Sequence, residues 1–388
     1  MKEDTKIVTA GRNPKAYGGA VNPPVYHAST VLFPTVAELE NRYQPGPRRM
    51  QYGRRGTPTT WALEDALAAL EGGAGCTLYP SGLGAITGAL LSFLKAGDHL
   101  LMVDTTYMPT RMLCDGLLKR FGVETTYYDP AVGADVAKLM RPNTRVVYCE
   151  SPGSLTFEIQ DVPATAAAAK AKGAITMIDN TWASPLFFKP LAHGIDVSIH
   201  AGTKYIVGHS DAMLGACIAN EKALPELKKG WTEMGLCAGP DDVYLAQRGV
   251  RTLGVRMRQH HANGLALATW LKTRPEVARV LHPALPDDPG HKLWKRDFTG
   301  ASGLFGLILK PVRSEAVAAM LDGLEHYGMG FSWGGFESLM IPSHPEKSRS
   351  ATRWQPEGPT LRIHAGLEDV EDLKSDLEKG LARLGKAR

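Results

Sequence analysis

From residue 59 onward, short apolar runs alternate with longer amphipathic ones. The segment WALEDALAALEGG carries apolar residues at helical spacing and stops at paired glycines, which are typical of a helix end. Five apolar runs predict strands, namely CTLYP, HLLMVD, RVVYCES, AITMID and DVSIHA. Helical segments such as LGAITGALLSFLKAG and RMLCDGLLKRFG separate several of them. Strands separated by helices indicate βαβ units, so the pattern predicts an α/β fold with a mostly parallel sheet.

The two ends of the chain have a different character. The first fifty-odd residues show no sustained period, and VNPPVYHASTVLFPT should be extended because a proline disfavours the helical conformation in the residue before it. After Pro240, a long helical stretch (243–272) leads to a strand-like HPAL, a second apolar core in GLFGLILK and a closing helix. We therefore predict an N-terminal arm (1–57), a large domain (58–248) and a smaller α+β C-terminal domain (249–388).

The composition narrows the class of protein. Of the 388 residues, 44% are hydrophobic and 22% are charged, which excludes a disordered or fibrous chain. The formal net charge of +4 is too weak to favour nucleic acid or an anionic membrane as a partner. The start of the chain is charged and lacks an apolar core, and the five cysteines form no C-x-x-C pair. We expect a cytoplasmic protein that binds no metal, nucleic acid or membrane.

Two polar residues stand just beyond predicted strands, where open α/β sheets bind their ligands. Asp179 follows AITMI, and Lys204 follows DVSIHA through Gly202 and Thr203, 25 residues later. A desolvated lysine is a nucleophile for a carbonyl group, and a carboxylate suits a protonated pyridine nitrogen. Enzymes that use pyridoxal phosphate need such a pair. A structural ion pair between Asp179 and Lys204 is the alternative.

A third strand end has the features of a phosphate cradle. The strand CTLYP ends before Ser81 and Gly82, and a helix begins at about Leu83. Free amides at a helix N-terminus bind anions, and a glycine lets a phosphate approach the backbone closely. An ordinary tight turn would have the same sequence. The interpretation as a phosphate site is therefore supported only by the position of this segment at a third strand end.

Two further groups of polar residues could suggest binding sites. His260 and His261 are adjacent on a predicted helix, so they point in different directions and cannot both bind one metal ion. We expect them to be a solvated or interface pair. We also expect a solvated or subunit-contact stripe of arginines on the same helix, comprising Arg248, Arg251, Arg256 and Arg258.

Several long segments are similar to one known family. TKYIVGHSDAMLG, around Lys204, resembles the cofactor-lysine segment of the Cys/Met-metabolism family of fold-type I pyridoxal phosphate enzymes. MIDNTWASPLF resembles the segment with the family's aspartate, and SWGGFESL and LRIHAGLEDVEDL complete the set. The likeness runs from about Gly18 to the C-terminus and implies the fold-type I architecture. YGRRGTPT, ESPGS and Trp333 are most similar to the bacterial branch that cleaves cystathionine by β-elimination.

The resemblance implies a role for each matching residue. Lys204 would bind the cofactor covalently and move protons, Asp179 would hold the pyridinium, and Tyr107 would stack on the ring and assist proton transfer. Many relatives have a serine where this chain has Ala201, so one phosphate hydroxyl is missing. The other residues implied are Ser81, Gly82, Leu83 and Thr203 for the phosphate, Tyr52 and Arg54 for the phosphate of a neighbouring subunit, and Arg362, Ser332 and Trp333 for the substrate carboxylate.

The implied activity is α,β-elimination of L-cystathionine to homocysteine, pyruvate and ammonia, a step of methionine biosynthesis. The implied assembly is a homotetramer, a dimer of dimers with active sites shared between subunits. A related cysteine or cystine β-lyase, or a cystathionine γ-lyase, is the alternative within the family. A regulatory binding protein without catalysis is the alternative from another class, and the presence of both Lys204 and Asp179 argues against it.

Overall fold

The computed structural model describes residues 1–44, 46 and 48–386. The helices within these residues are α1 (Glu3–Thr9), α2 (Val36–Glu40), α3 (Pro58–Glu71), α4 (Gly82–Phe93), α5 (Met108–Leu113), α6 (Val162–Ala171), α7 (Ser184–Phe187), α8 (Leu224–Met234), α9 (Pro240–Leu271), α10 (His291–Asp297), α11 (Ser314–Leu321) and α12 (Val370–Lys386). The strands are β1 (Gly75–Tyr79), β2 (His99–Val103), β3 (Glu124–Tyr128), β4 (Thr144–Glu150), β5 (Ile175–Asp179), β6 (Val197–His200), β7 (Gly215–Ala219), β8 (Val277–Leu281), β9 (Leu304–Leu309), β10 (Tyr327–Gly328), β11 (Ser338–Ser343) and β12 (Thr360–His364).

The first sheet has seven strands in the order β1-β7-β6-β5-β4-β2-β3. The neighbouring pairs β6-β5, β5-β4, β4-β2 and β2-β3 are parallel. Strand β7 is antiparallel to both of its neighbours, β1 and β6. The central strands are buried on both faces, as expected for a sheet covered by helices. The prediction of an α/β fold with a mostly parallel sheet is confirmed, and β7 is the antiparallel exception that the sequence pattern did not reveal.

The helix before the first strand illustrates how local sequence sets these elements. Proline at the first position of α3 suits a helix start, and the Thr57 N–H donates to the Thr60 hydroxyl at 2.7 Å there. The helix ends at Glu71 and is capped by Gly72, whose φ of +75° is unfavourable for other residues. Its apolar face, which includes Leu63 and Leu67, is buried in the same core as β1.

The second sheet has five strands in the order β10-β11-β12-β9-β8 and is mostly antiparallel. Helices α11 and α12 share its apolar core, and α12 contributes leucines at positions 373, 377, 381 and 384. The predicted helix near the C-terminus is therefore confirmed. The strand predicted at HPAL is wrong, because β8 ends at Leu281, just before that segment.

Helix α9 runs for 32 residues and contacts elements from both halves of the chain. The predicted boundary at residue 248 falls inside this helix, and the division into three parts stays a prediction. The expected solvated stripe is wrong in part, because Arg256 is buried and donates to the Gly249 carbonyl. His260 is also fully buried, and its Nδ1 lies 2.9 Å from the Ala365 carbonyl oxygen.

The N-terminal residues contain a short helix that the sequence pattern did not predict. Ile7 of α1 is buried in the core that includes α9, and Arg251 donates to the carbonyls of Ile7 and Ala10. Residues 21–35 contain no helix, in agreement with their prolines, and expose large apolar side chains, among them Leu32 with 88% of its surface accessible. No helix among the described residues is long and apolar enough to cross a membrane.

Candidate active site

Three neighbouring strands bring the candidate residues to one edge of the large sheet. Asp179 is the last residue of β5, and Glu150, the last residue of β4, is its direct partner in the register. The next strand, β6, ends at His200, and the chain then turns through Gly202 to Lys204. Because parallel strands end at the same edge, this arrangement places the carboxylate of Asp179 and the amine of Lys204 at one opening.

The amine of Lys204 contacts the small domain rather than an acid. Its Nζ donates to Ser332 Oγ at 2.5 Å and lies 5.2 Å from the centre of the Trp333 ring. Burial and the nearby Arg362 lower the pKa of Lys204 to about 8, although Asp179 opposes the shift. About a tenth of the amine is therefore uncharged at pH 7 and available as a nucleophile, far more than for an ordinary lysine.

The loop that carries Ser332 packs tightly on the Lys204 turn. Gly334 has a φ of +86°, and a Cβ atom there would lie 3.0 Å from the carbonyl carbon of Lys204. Its N–H donates to His364 Nε2, which anchors the loop to β12. Glycine at this position therefore lets the loop hold Ser332 and Trp333 against the lysine.

Asp179 is held ready for a positively charged partner. Its Oδ1 accepts the Thr181 N–H at 2.9 Å. Burial raises the pKa of Asp179, while donors from Thr181 and the charges of His200 and Lys204 act in the opposite direction. The alternative of a direct ion pair with Lys204 is not what the structure contains, since the hydrogen bond of that amine goes to Ser332.

The start of α4 has the geometry of an anion site. Ser81 caps the helix, its Oγ accepting the Gly84 N–H at 3.0 Å, while the amides of Gly82 and Leu83 belong to the first turn and have no partner inside the helix. A Cβ atom on Gly82 would lie 2.5 Å from the Cβ of Ala201. The glycine thus brings the helix start against the turn that leads to Lys204.

Thr203, the other predicted phosphate residue, is already engaged within its own chain. Its hydroxyl donates to the Leu214 carbonyl at 3.1 Å and accepts the Leu214 N–H at 2.9 Å. A phosphate oxygen would have to compete with that carbonyl for the hydroxyl proton. The backbone amides of α4 are therefore the stronger candidates to replace the serine hydroxyl that is missing at Ala201.

Arg362 and Tyr107 border the same opening. Nη2 of Arg362 donates to the carbonyls of Gly330 and Ser332 at 3.1 and 2.8 Å, so neither hydrogen bond neutralises its charge. Burial lowers the pKa of Arg362 to about 10, with Tyr107 opposing. Burial and the acids Glu150 and Asp179 raise the pKa of Tyr107, whose side chain is 45% exposed. The guanidinium and the phenol thus lie at the same opening as Asp179 and Lys204.

Tyr52 and Arg54 are not brought into contact with these residues within the described chain. Arg54 donates to the Thr232 carbonyl at the end of α8, at 3.1 Å, and Tyr52 forms an isolated bridge with Thr30. Tyr52 is 46% exposed. Their predicted role toward a neighbouring subunit stays a prediction.

Sequence reasoning missed one acid at this edge. Glu150 Oε2 accepts the Tyr107 N–H at 2.8 Å and the Thr106 hydroxyl at 3.2 Å. The rule that identified Asp179 applies equally to Glu150, which closes the predicted strand RVVYCES. Applied to each strand in turn, that rule would have found it.

The residues present fit pyridoxal phosphate. The amine of Lys204 suits its aldehyde, the carboxylate of Asp179 suits its ring nitrogen, and the close approach at Gly82 leaves backbone amides for its phosphate. Tyr107 supplies an aromatic ring at the same opening. The predicted set is thus largely assembled in one chain, with Tyr52 and Arg54 outside it.

Comparisons with known proteins agree with this arrangement. The family model described as "Cys/Met metabolism PLP-dependent enzyme" matches residues 4–382. The chain is 47% identical over 391 residues to the cystathionine β-lyase MetC of Escherichia coli (strain K12), with 99% of each chain covered. It is 46% identical over 388 residues to the cystathionine β-lyase of Salmonella typhimurium (strain LT2), with 98% of each covered.

A solved structure extends the comparison to the fold. The cystathionine γ-synthase from Xanthomonas oryzae pv. oryzae, in complex with aminoacrylate and cysteine, superposes with a TM-score of 0.90. It is 33% identical, and the match covers the whole of both chains. The chain therefore belongs to the Cys/Met-metabolism family of pyridoxal phosphate-dependent enzymes and has their fold.

Proposed function

We propose that the chain catalyses the α,β-elimination of L-cystathionine, in which one water molecule is consumed and homocysteine, pyruvate and ammonia are formed. The observation that carries the proposal is the placement of the Lys204 amine 2.5 Å from Ser332 Oγ, at the opening that Arg362 and Asp179 border. Relatives named cystathionine β-lyase, 47% and 46% identical over nearly the whole chain, support the choice of reaction.

Each residue has a definite task in this scheme. Bound pyridoxal phosphate withdraws electrons from the carbon that carries the substrate amino group. Lys204 takes the proton from that carbon, since its lowered pKa leaves part of the amine free as a base. Arg362 holds the substrate carboxylate, and Ser332 and Trp333 keep the amine of Lys204 directed to the opening. The bond between the β carbon and sulfur then breaks, and homocysteine leaves with the sulfur.

The test of the reaction is product analysis with purified protein, L-cystathionine and pyridoxal phosphate. We expect pyruvate and homocysteine in equal amounts, while 2-oxobutyrate with cysteine would identify a γ-lyase instead. Cystine and cysteine tested beside cystathionine would reveal a related β-lyase by a higher kcat/KM. No turnover of any of these compounds would favour the regulatory binding protein.

The test of the cofactor lysine is chemical. Borohydride reduction of the yellow protein followed by peptide mapping should find the pyridoxyl group on Lys204. Lys204→Ala should lose both the visible absorption band and turnover. A label on another lysine would overturn the assignment.

We further propose a homotetramer in which Tyr52 and Arg54 reach the phosphate of a neighbouring subunit. The exposed ring of Tyr52 and the exposed apolar side chains of the arm, such as Leu32 and Val36, support a partner for this segment. A cytoplasmic location stays a prediction. Sedimentation analysis of the purified protein would test the tetramer.

A mixing experiment would test the shared site. Arg54→Ala and Lys204→Ala, each inactive alone, would be dissociated and reassociated together. A mixed dimer contains one site with both native residues, so we expect part of the activity to return. No recovery in verified mixed oligomers would mean that each chain completes its own phosphate site.

A further inference from the structure

Glu150 is a buried acid at the active-site edge whose role the proposed reaction leaves open. It closes β4, and its partner in the parallel register is Asp179. Paired residues on neighbouring strands about 4.8 Å apart point to the same face of a sheet. The two carboxyl groups therefore stand side by side, one of them facing the ring nitrogen of the cofactor under the proposed function.

The contacts of Glu150 lead to Tyr107. A single carboxyl oxygen, Oε2, accepts both the Tyr107 N–H and the Thr106 hydroxyl. Tyr107 is the residue before α5, and its carbonyl accepts the N–H groups of Thr110 and Arg111. The backbone of Tyr107 is thus fixed by the helix on one side and by Glu150 on the other, which sets where its ring stands above the opening.

The surroundings of the two acids differ. Asp179 receives two donors from Thr181 and lies near the positive charge of Lys204. Burial and Asp179 raise the pKa of Glu150 well above its usual range, and only the Tyr107 N–H and the Thr106 hydroxyl oppose that shift. The buried phenol of Tyr148, two residues earlier on β4, adds no positive charge. Two adjacent buried carboxyls do not both ionise readily, and the charge of Lys204 favours ionisation of Asp179.

We propose that Glu150 is a positioning residue, a neutral carboxylic acid that fixes Tyr107 over the cofactor ring and leaves the negative charge of the acid pair on Asp179. The two hydrogen bonds need only an acceptor oxygen, which a protonated carboxyl group still offers. A second carboxylate beside Asp179 would instead add to the negative charge around the ring. The inference rests on the proposed function, because it assigns Tyr107 and Asp179 to the cofactor.

The test compares Glu150→Gln with Glu150→Ala in the holoenzyme. Glutamine keeps an acceptor oxygen and no charge, so we expect kcat/KM within about threefold of wild type. Alanine leaves the Tyr107 N–H without its partner, and we expect kcat/KM to fall about tenfold to a hundredfold, chiefly through kcat. Glu150→Gln that is as damaged as Glu150→Ala, or Glu150→Ala that matches wild type, would overturn the inference.

A spectroscopic readout separates positioning from a merely structural role. The pH titration of the visible absorption band reports the charge around the cofactor bound to Lys204. If Glu150 is neutral, Glu150→Gln should leave the midpoint within ~0.3 pH unit of wild type. A fall of ~0.5 unit or more would show that a negative charge had been lost, and that result would overturn the inference even if Glu150→Ala failed to fold.

Asp376 provides the matched control. It is 1% exposed, and its Oδ2 accepts the N–H groups of Glu325 and His326 in the small domain. Asp376→Ala should lower Tm and leave the visible titration at its wild-type midpoint. A wild-type protein without any visible band would instead contradict the proposed function, before the Glu150 variants are compared.

Discussion

Two clusters of buried charge lie close together in this molecule and are organised in opposite ways. At the active-site edge, the hydrogen bonds of Lys204 and Arg362 within the described residues go to a hydroxyl and to carbonyls, and burial lowers the pKa of each. The second cluster, which we call the Asp104 clamp, comprises Asp104, Arg111, Arg349, Ser350 and Thr352. Here each charge has an opposite partner.

The clamp joins the two sheets. Asp104 follows β2 and is fully buried, while Arg349 lies between β11 and β12 and is largely buried. Arg111 Nη2 donates to Asp104 Oδ1 at 2.6 Å, and Arg349 Nε donates to Oδ2 at 3.1 Å. Although burial opposes ionisation, the backbone N–H groups of residues 350–352 and the Arg111 guanidinium hold the pKa of Asp104 well below its usual range.

The difference teaches what to expect from each cluster. Buried charges that are paired with opposite charges hold a structure together, whereas buried charges without such a pair are available to a ligand. The clamp fixes the loop before β12 to the end of β2. Strand β12 carries Arg362, and the chain after β2 leads to Tyr107. We therefore expect changes in the clamp to lower stability and changes at the site to lower activity.

The largest effect should come from the site. Arg362→Leu removes the cation proposed to hold the substrate carboxylate. A lost buried charge contact costs about 2–5 kcal/mol, so kcat/KM should fall between about 30-fold and about 5,000-fold, with a raised KM. The visible band should hardly change. The matched control is Arg279→Leu, which removes an exposed arginine paired with Glu357 at 3.5 Å and should keep near-normal kinetics. Normal kinetics for Arg362→Leu would mean that the carboxylate is held elsewhere.

The clamp should show its effect in stability. Asp104→Asn leaves Arg111 without its carboxylate and Arg349 with Glu158 alone, and breaking a buried pair costs ~3 kcal/mol or more. Asp135→Asn is the control, since its pair with Lys138 at 2.8 Å is exposed and should matter by less than ~0.5 kcal/mol. Urea unfolding measures both values. Equal losses would show that burial of the clamp does not determine its strength.

Acidity should remove the contribution of the clamp. The folded-state pKa of Asp104 lies below its unfolded value of about 3.9, so the unfolded chain takes up the proton first as pH falls. The stabilisation is therefore complete above about pH 5 and declines steadily below it. The difference in unfolding free energy between wild type and Asp104→Asn should therefore shrink as the pH falls from 5 to 3. A difference that stays constant down to pH 3 would contradict this assignment.

The smallest effect should come from the lysine itself in cofactor-free protein. The pKa of Lys204 is about 8 in the folded chain and about 10.4 when unfolded, so its charge destabilises the fold below pH 8 and ceases to do so above pH 10.4. Lys204→Met should raise Tm by ~2 °C at pH 7, and the gain should vanish near pH 10.5. Exposed Lys229 offers the control, since Lys229→Met should change Tm at neither pH.

The sequence by itself determined much of the large sheet and its ligand edge. Apolar runs mark buried strands because each strand needs only its own residues to show the pattern. Asp179 and Lys204 could be predicted from that pattern, since parallel strands end at one edge. Glu150 lay within reach of the same rule. The family resemblance added Arg362, Ser332 and Tyr107, which the strand pattern alone does not single out.

Only the tertiary structure decided which distant segments meet. Ser332 contacts Lys204 across 128 positions, and Arg349 contacts Asp104 across 245. The periodicity of α9 shows which of its residues share a face, but not whether that face meets solvent or another sheet, so the burial of His260 could not be predicted. Local pattern reports the conformation of a few residues, whereas these contacts depend on how whole elements pack, and that packing is set by the sum of the buried surfaces rather than by any one segment.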